Sequence, residues 1–302
     1  MTLQQLRYAI AIADHKSMNK AAAELFITQP SLSNTIKDLE NEIHIEIFSR
    51  SNRGITITPE GEEFLGYARQ MLDHYRLIEE RYVENAFSKK KFSVSMQHYT
   101  FAVEAFIQMA KKFGMDEYEF AVYETKTSEV IENVRLNRSE IGIIYKNEFN
   151  EKFIDKILRD SELEFISLFD CKIYVYLSKG NPLAQKEVIN FEDLQKYPCL
   201  SFEQGDSNSF YFAEEVLSTY DYRQIIKAND RATLLNLMVG LNGYTLCSGI
   251  ICTELNGDEY AAVPLNTEEK MTIGYIKHKR IPLSVLGEKY IEELKKYKER
   301  VL

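Results

Sequence analysis

No two of the four cysteines form a C-x-x-C pair: Cys171, Cys199, Cys247 and Cys252 are scattered through the last half of the chain. In a sequence of 302 residues that pattern excludes a disulfide framework and reads as buried thiols in a reducing compartment. The stretch "CSGIIC" has no histidine or third cysteine near it, and the five histidines are dispersed, so no structural zinc site is expected. No apolar run approaches a membrane span. The run "YAIAIA" is too short for a secretory leader and ends in "DHK". A soluble, cytoplasmic chain without a membrane contact is expected. Catalytic signatures are missing as well. There is no nucleophile elbow, phosphate-binding glycine loop, histidine pair on a helix or dinucleotide fingerprint. The glycines of "SGIICTELNG" lack the spacing such a fingerprint needs. Neither enzymatic activity nor a cofactor is expected.

Positive charge is also short. The net charge is −9, and it is unevenly spread. Residues 1–91 carry 12 Lys+Arg against 13 Asp+Glu, and residues 92–302 carry 25 against 33. A chain that coats nucleic acid non-specifically is more basic. Any DNA contact is therefore local and relies on placed groups.

What is present begins at residues 21–40, "AAAELFITQPSLSNTIKDLE", a helix, a break and a second helix. Leu32, Ile36 and Leu39 are spaced i, i+4, i+7 as a packed face requires. The other face carries Gln29, Ser33, Asn34 and Lys37, mostly short hydrogen-bonding residues. A helix over 3–14 precedes this pair. Ser17 caps the second helix, and Thr28 caps the third with Pro30 in its first turn. In "SRSNRGITIT", Asn52-Arg53-Gly54 is turn chemistry and Ile55 and Ile57 alternate with threonines, so a small hairpin follows. Thr58 and Pro59 then open a helix running to about Ser88. Ala68, Met71, Tyr75, Ile78 and Tyr82 recur on it at the coiled-coil period, which predicts a dimer seam. "SKKK", 88–91, reads as a linker.

From Phe92 strands alternate with helices, which predicts a largely parallel sheet covered on both faces. The last such series includes a helix over "FYFAEEVLSTY", 210–220.

Three helices, a hairpin and a polar exposed helix face make a winged helix-turn-helix. The major groove admits one helix, and short donors and acceptors read base edges. Gln29 and Asn34 suit adenine, and Ser33 serves either base type. Thr28 and the open N–H groups beside it suit a phosphate. Lys37 suits the backbone, and Arg50 and Arg53 suit phosphate or a narrow minor groove. Each residue alone is equally well read as a solvated side chain; the constellation points to DNA.

The spaced "AA..L..TQPSLS..I..LE", the "IFSRSNRG" and the "T.T..G" resemble the N-terminal domain of LysR-type transcriptional regulators. The likeness extends over the whole chain. It implies DNA contact at Gln29, Pro30, Ser33, Asn34 and Arg53. Asn34 stands where the family usually has a basic or larger residue, so its base preference is its own. The implied fold is an α+β two-part chain: a mainly α winged helix-turn-helix over 1–58, a linker and dimerisation helix over 59–91, and an α/β domain over 92–302. That last domain resembles a two-lobed periplasmic binding protein, lobe one being 92–163 plus 269–302 and lobe two 164–268. Its cleft implies a small-molecule effector at strand ends. Three loops suit that place: His98, Tyr99 and Thr100; Thr125 and Thr127; and Phe202, Gln204 and Ser207. The implied partners are double-stranded DNA at a pseudo-palindromic promoter site, a second copy through 59–88, a tetramer of such pairs, and RNA polymerase if the protein activates. Two rival readings exist. A metabolic enzyme lacks a motif. A solute-binding sensor with degenerate DNA binding would need export and leaves residues 1–60 without a role.

Overall fold

The computed structural model describes residues 1–51, 54–82, 90–113, 117–205 and 209–300. The chain divides into two compact units, Met1–Ser88 and Lys89–Leu302.

In the first unit, α1 (Leu3–His15) starts at a capping box between Thr2 and Gln5. Lys16, in the left-handed conformation, ends it, and Ser17 caps α2 (Met18–Glu24). Phe26 turns the chain with φ 54°. Thr28 then caps α3 (Gln29–Ile43), its hydroxyl accepting from the Ser31 N–H at 3.4 Å. Leu32, Ile36 and Leu39 are fully buried against Ala9, Ile12 and Ala21. Strands β1 (Phe48–Ser51) and β2 (Gly54–Ile57) pair antiparallel, Phe48 opposite Ile57. Two side chains fix the joints. The Glu40 carboxylate accepts the Ile47 and Phe48 N–H groups at 2.8 and 3.1 Å. Thr58 accepts the Gly61 N–H at 2.9 Å and donates to the Glu46 carbonyl at 2.5 Å, starting α4 (Pro59–Tyr82). Gly61 is obligatory, because a Cβ there would collide with the Ile47 carbonyl.

The helix α4 is partly covered by its own unit. Leu65 and Ala68 are buried, Arg69 pairs with Asp14 at 2.8 Å, and Arg7 lies over the Tyr75 ring. Met71 and Ile78 of the expected seam remain exposed.

The second unit holds β3 (Lys90–Met96), α5 (Thr100–Phe113), β4 (Tyr118–Glu124), α6 (Thr127–Arg135), β5 (Ile141–Lys146), α7 (Glu151–Asp160) and β6 (Leu163–Lys172). Next come β7 (Tyr174–Ser178), α8 (Phe191–Leu194), β8 (Cys199–Phe202), β9 (Ile225–Ala228), α9 (Arg231–Leu241) and β10 (Tyr244–Cys247). The chain closes with α10 (Thr253–Asn256), β11 (Tyr260–Pro264), β12 (Lys270–His278) and α11 (Val285–Lys295). Among the described residues the strands form two five-stranded sheets, ordered β4-β3-β5-β12-β6 and β11-β7-β10-β8-β9. We call the layers around them lobe one and lobe two.

Four expectations need correction. The sheets are mixed rather than largely parallel: β12 runs antiparallel to β5 and β6, and β7 antiparallel to β10 and β11. Residues 164–172, expected in lobe two, pair with β12 in lobe one, so the chain crosses near Ile173. Lys90 and Lys91, expected in the linker, pair with Tyr118 and Glu119 as strand. Residues 210–220 are not a helix beyond one short turn, Phe210–Phe212. Lobe one captures that backbone: the Thr127 hydroxyl donates to the Phe212 carbonyl at 2.8 Å, and the Tyr145 hydroxyl to the Ala213 and Glu215 carbonyls at 3.1 and 3.2 Å. Tyr211 stacks on Phe149 and Phe153 of lobe one. These bonds replace the carbonyl partners a helix would supply.

Candidate functional site

The first candidate is the outer face of α3. Burial of Leu32, Ile36 and Leu39 fixes the helix rotation and turns Thr28, Gln29, Pro30, Asn34 and Lys37 to the surface, where all five are exposed. Ser33 is half-buried between the faces. At the helix start Pro30 has no N–H, the Ser31 N–H is taken by the Thr28 hydroxyl and the Leu32 N–H by the Thr28 carbonyl, which leaves the Gln29 N–H without an intrahelical partner beside these side chains. Arg50 lies in β1 opposite Ile55, with its side chain outside the described residues, as is Arg53 altogether. Bidentate acceptor–donor side chains, a hydroxyl and a lysine along three helical turns match what major-groove readout needs.

The second candidate is a cleft within the second unit, enclosing about 750 Å³ with its open mouth included. Lobe one contributes His98, Tyr99 and Thr100 from the end of β3 and the start of α5. Lobe two contributes Tyr176, Phe202, Arg231, Thr245 and Asn256, together with Glu214 and Glu215 from the captured segment. His98 stacks flat on Phe202, with ring centroids 3.6 Å apart. The Thr100 hydroxyl receives the Arg231 guanidinium and, at 3.2 Å, the Asn256 amide. Arg231 also pairs with Glu124 at the end of β4. Asn256 donates to the Tyr176 hydroxyl at 3.2 Å.

Of the eight expected effector residues, the structure brings His98, Tyr99, Thr100 and Phe202 together at the cleft. It gives three others different work. Thr127 and Gln204 are buried and join the lobes: Gln204 Oε1 accepts the Thr127 N–H at 3.1 Å, and Thr127 Oγ1 accepts from Gln97 at 2.5 Å. Thr125 bonds to Glu129 on the outer side. Ser207 lies outside the described residues.

Sequence reasoning missed Glu214, Glu215 and Arg231, the charged residues of the cleft. Gln204 donates to Glu214 Oε1 at 3.0 Å, while Glu214 Oε2 accepts the His98 N–H at 3.0 Å and lies 2.7 Å from His98 Nδ1. Glu215 accepts the Phe202 N–H at 2.9 Å. Its burial, and then the neighbouring Glu214, push its carboxyl up to about 8. Burial likewise raises the Tyr99 and Tyr145 phenols and pushes the Cys171, Cys199 and Cys247 thiols up to about 12. The adjacent "EE" was the available signal, but it sat in a stretch that reads as an ordinary amphipathic helix. Among the described residues no group of three or more His, Cys, Asp or Glu is placed to hold a metal. No helix there is long and apolar enough to cross a membrane.

Two family models match this arrangement. Residues 3–62 match the bacterial regulatory helix-turn-helix protein of the lysR family, and residues 116–298 match the LysR substrate binding domain. The chain is 26% identical over 310 residues to the HTH-type transcriptional regulator CysL of Bacillus subtilis, covering 96% of this chain and 98% of that one. It is 22% identical over 314 residues to a hydrogen peroxide-inducible genes activator of Escherichia coli, covering 98% and 95%. The fold matches full-length CbnR, solved in complex with its target DNA, at a TM-score of 0.63 and 18% identity, covering 98% of this chain and 99% of that one.

Proposed function

This chain belongs to the LysR family and is a DNA-binding transcriptional regulator with a C-terminal effector-binding domain; from that premise we propose which residues do the work. Gln29, Ser33 and Asn34 read base edges in the major groove. Thr28, Pro30 and the Gln29 N–H at the start of α3 sit on a phosphate, and Lys37, Arg50 and Arg53 hold the flanking backbone. The observation that carries this reading is the exposure of that polar face opposite the fully buried Leu32, Ile36 and Leu39. Two copies pair through α4, whose Met71 and Ile78 are exposed at the predicted seam spacing. Two such pairs make a tetramer on a pseudo-palindromic site, and linked binding offsets the weak charge of each subunit. The protein works in the cytoplasm, has no enzymatic role, and contacts RNA polymerase if it activates.

The effector occupies the cleft between the lobes, against Tyr99, Thr100 and Phe202. It shifts DNA binding only through different affinity for two arrangements of the domain. The cross-lobe bonds of Thr127, Gln204, Glu214 and Arg231 are the contacts that such a shift rearranges.

The test is Asn34→Ala with selection of bound fragments from a random pool. Base preference should relax at one position of each half-site, at a cost of ~1–3 kcal/mol. Unchanged preference at every position removes Asn34 from the reading set.

A further inference from the structure

The places where an anionic effector would sit are filled from within the chain. The first N–H of α6 is bonded by the Gln204 side-chain oxygen at 3.1 Å. The backbone ahead of α5 is taken by the Glu214 carboxylate, through the His98 N–H at 3.0 Å. The Arg231 guanidinium is engaged by Glu124 and Thr100. What faces the cleft beside them is acidic: Glu214, bonded by Gln204 and His98, and Glu215, whose Oε1 takes the Phe202 N–H, only 7% and 8% exposed. A second, independent feature lies on the same wall. Thr245, in the centre of β10 opposite Tyr176, lines the cleft, is 7% exposed, and its hydroxyl has no hydrogen-bond partner. A buried hydroxyl without a partner is costly, and a ligand oxygen or N–H bonded to it removes that cost. Apolar wall is supplied by Phe202, Leu234 and Leu235.

We propose that the effector is a small amine, its ammonium set against the Glu214–Glu215 pair, its apolar body against Leu234 and Leu235, and a hydrogen bond made to Thr245 Oγ1. This rests on the reading of the cleft as the effector site. A buried ammonium is tolerated only beside carboxylates; Glu215 holds its proton up to about 8 without a ligand, and an ammonium set beside it draws that proton off and completes the ion pair. Glu215 needs such a partner: its carboxyl is pushed up by burial and by Glu214, and the nearby Lys227, which acts the other way, does not offset this. A carboxylate ligand would instead have to displace Glu214 from His98 and Glu124 from Arg231.

The test uses the full chain, its melting temperature, and three probes of one shape: benzylamine, benzyl alcohol and sodium benzoate, each at ~10 mM. Benzylamine should raise the melting temperature by about 2–5 °C, the shift expected when ligand exceeds its Kd roughly tenfold, and the other two should not. Glu215→Gln should weaken the amine response at least tenfold in concentration. Thr245→Val, a change of one atom, should leave the fold intact and weaken the response to a ring-substituted amine bearing a hydroxyl. Circular dichroism of both variants separates loss of binding from loss of fold. Stabilisation by benzoate equal to or above that by benzylamine overturns the proposal. So does a benzylamine shift that survives Glu215→Gln in full. Absence of any amine shift, with specific operator binding intact, overturns the amine assignment while leaving the regulator reading in place.

Discussion

Replacing Glu215 by glutamine should change how the stability of the second unit depends on pH. The side chain is 8% exposed and bonds the Phe202 N–H at 2.9 Å. Burial first, and Glu214 second, raise its carboxyl from 4.5 to about 8. The folded chain therefore holds this proton more tightly than the unfolded chain. Between those two values the folded state carries more protons, so stability falls as pH rises. The contribution is complete below about pH 4.5 and is lost as pH passes through about 8. At roughly 1.4 kcal/mol per pH unit of separation, the whole window is worth ~4–5 kcal/mol. Glutamine keeps the size and an oxygen for the Phe202 N–H but does not titrate. Urea unfolding followed by circular dichroism, near pH 5 and near pH 9, measures the difference between Glu215→Gln and the parent chain, so shared titrations cancel. The variant should gain ~3–5 kcal/mol relative to the parent across that interval. Parallel pH curves would refute the reasoning, because they would mean that Glu215 titrates alike folded and unfolded.

Three other perturbations have defined outcomes. Gly61→Ala drives a Cβ into the Ile47 carbonyl and should destabilise the first unit by ~1–3 kcal/mol, read as a lower urea midpoint with weaker operator binding. Glu40→Ala removes the acceptor of the Ile47 and Phe48 N–H groups and should cost ~1–3 kcal/mol; an unchanged midpoint would show that water replaces it. Thr127→Val leaves the Phe212 carbonyl and the Gln97 amide without the partner they have at 2.8 and 2.5 Å. It should lower the stability of the second unit by ~2–4 kcal/mol while operator sequence preference stays the same.

The first unit was legible because its signals are local. Thr28 and Thr58 cap helices where hydroxyls were expected to, and Leu32, Ile36 and Leu39 face inward as their spacing requires. The helix α7 was also legible and was overlooked: Ile154 and Leu158 recur at i, i+4 and both are buried. The cleft was only half legible. His98, Tyr99, Thr100 and Phe202 follow strands, and strand ends in such sheets line clefts. Glu214 and Glu215 could not be placed by pattern, since "FYFAEEVLSTY" has helical composition and it is contacts from the other lobe, the Thr127 and Tyr145 hydroxyls and the Phe149 and Phe153 rings, that hold it out of a helix. Thr127 and Gln204 show the converse error. Their chemistry suited a ligand, but each found the other first. The mixed sheets were missed because alternation of strands and helices reports neighbours in sequence, whereas β12 inserts between β5 and β6 from far down the chain.

Binding of the purified full chain to the DNA upstream of its own gene, with scrambled DNA as competitor and across a salt series, tests the central claim most directly. Specific binding should outlast the competitor at physiological salt. Weak binding, equal on both DNAs and lost steeply with salt, together with no enriched sequence in a genome-wide selection of bound fragments, would contradict it.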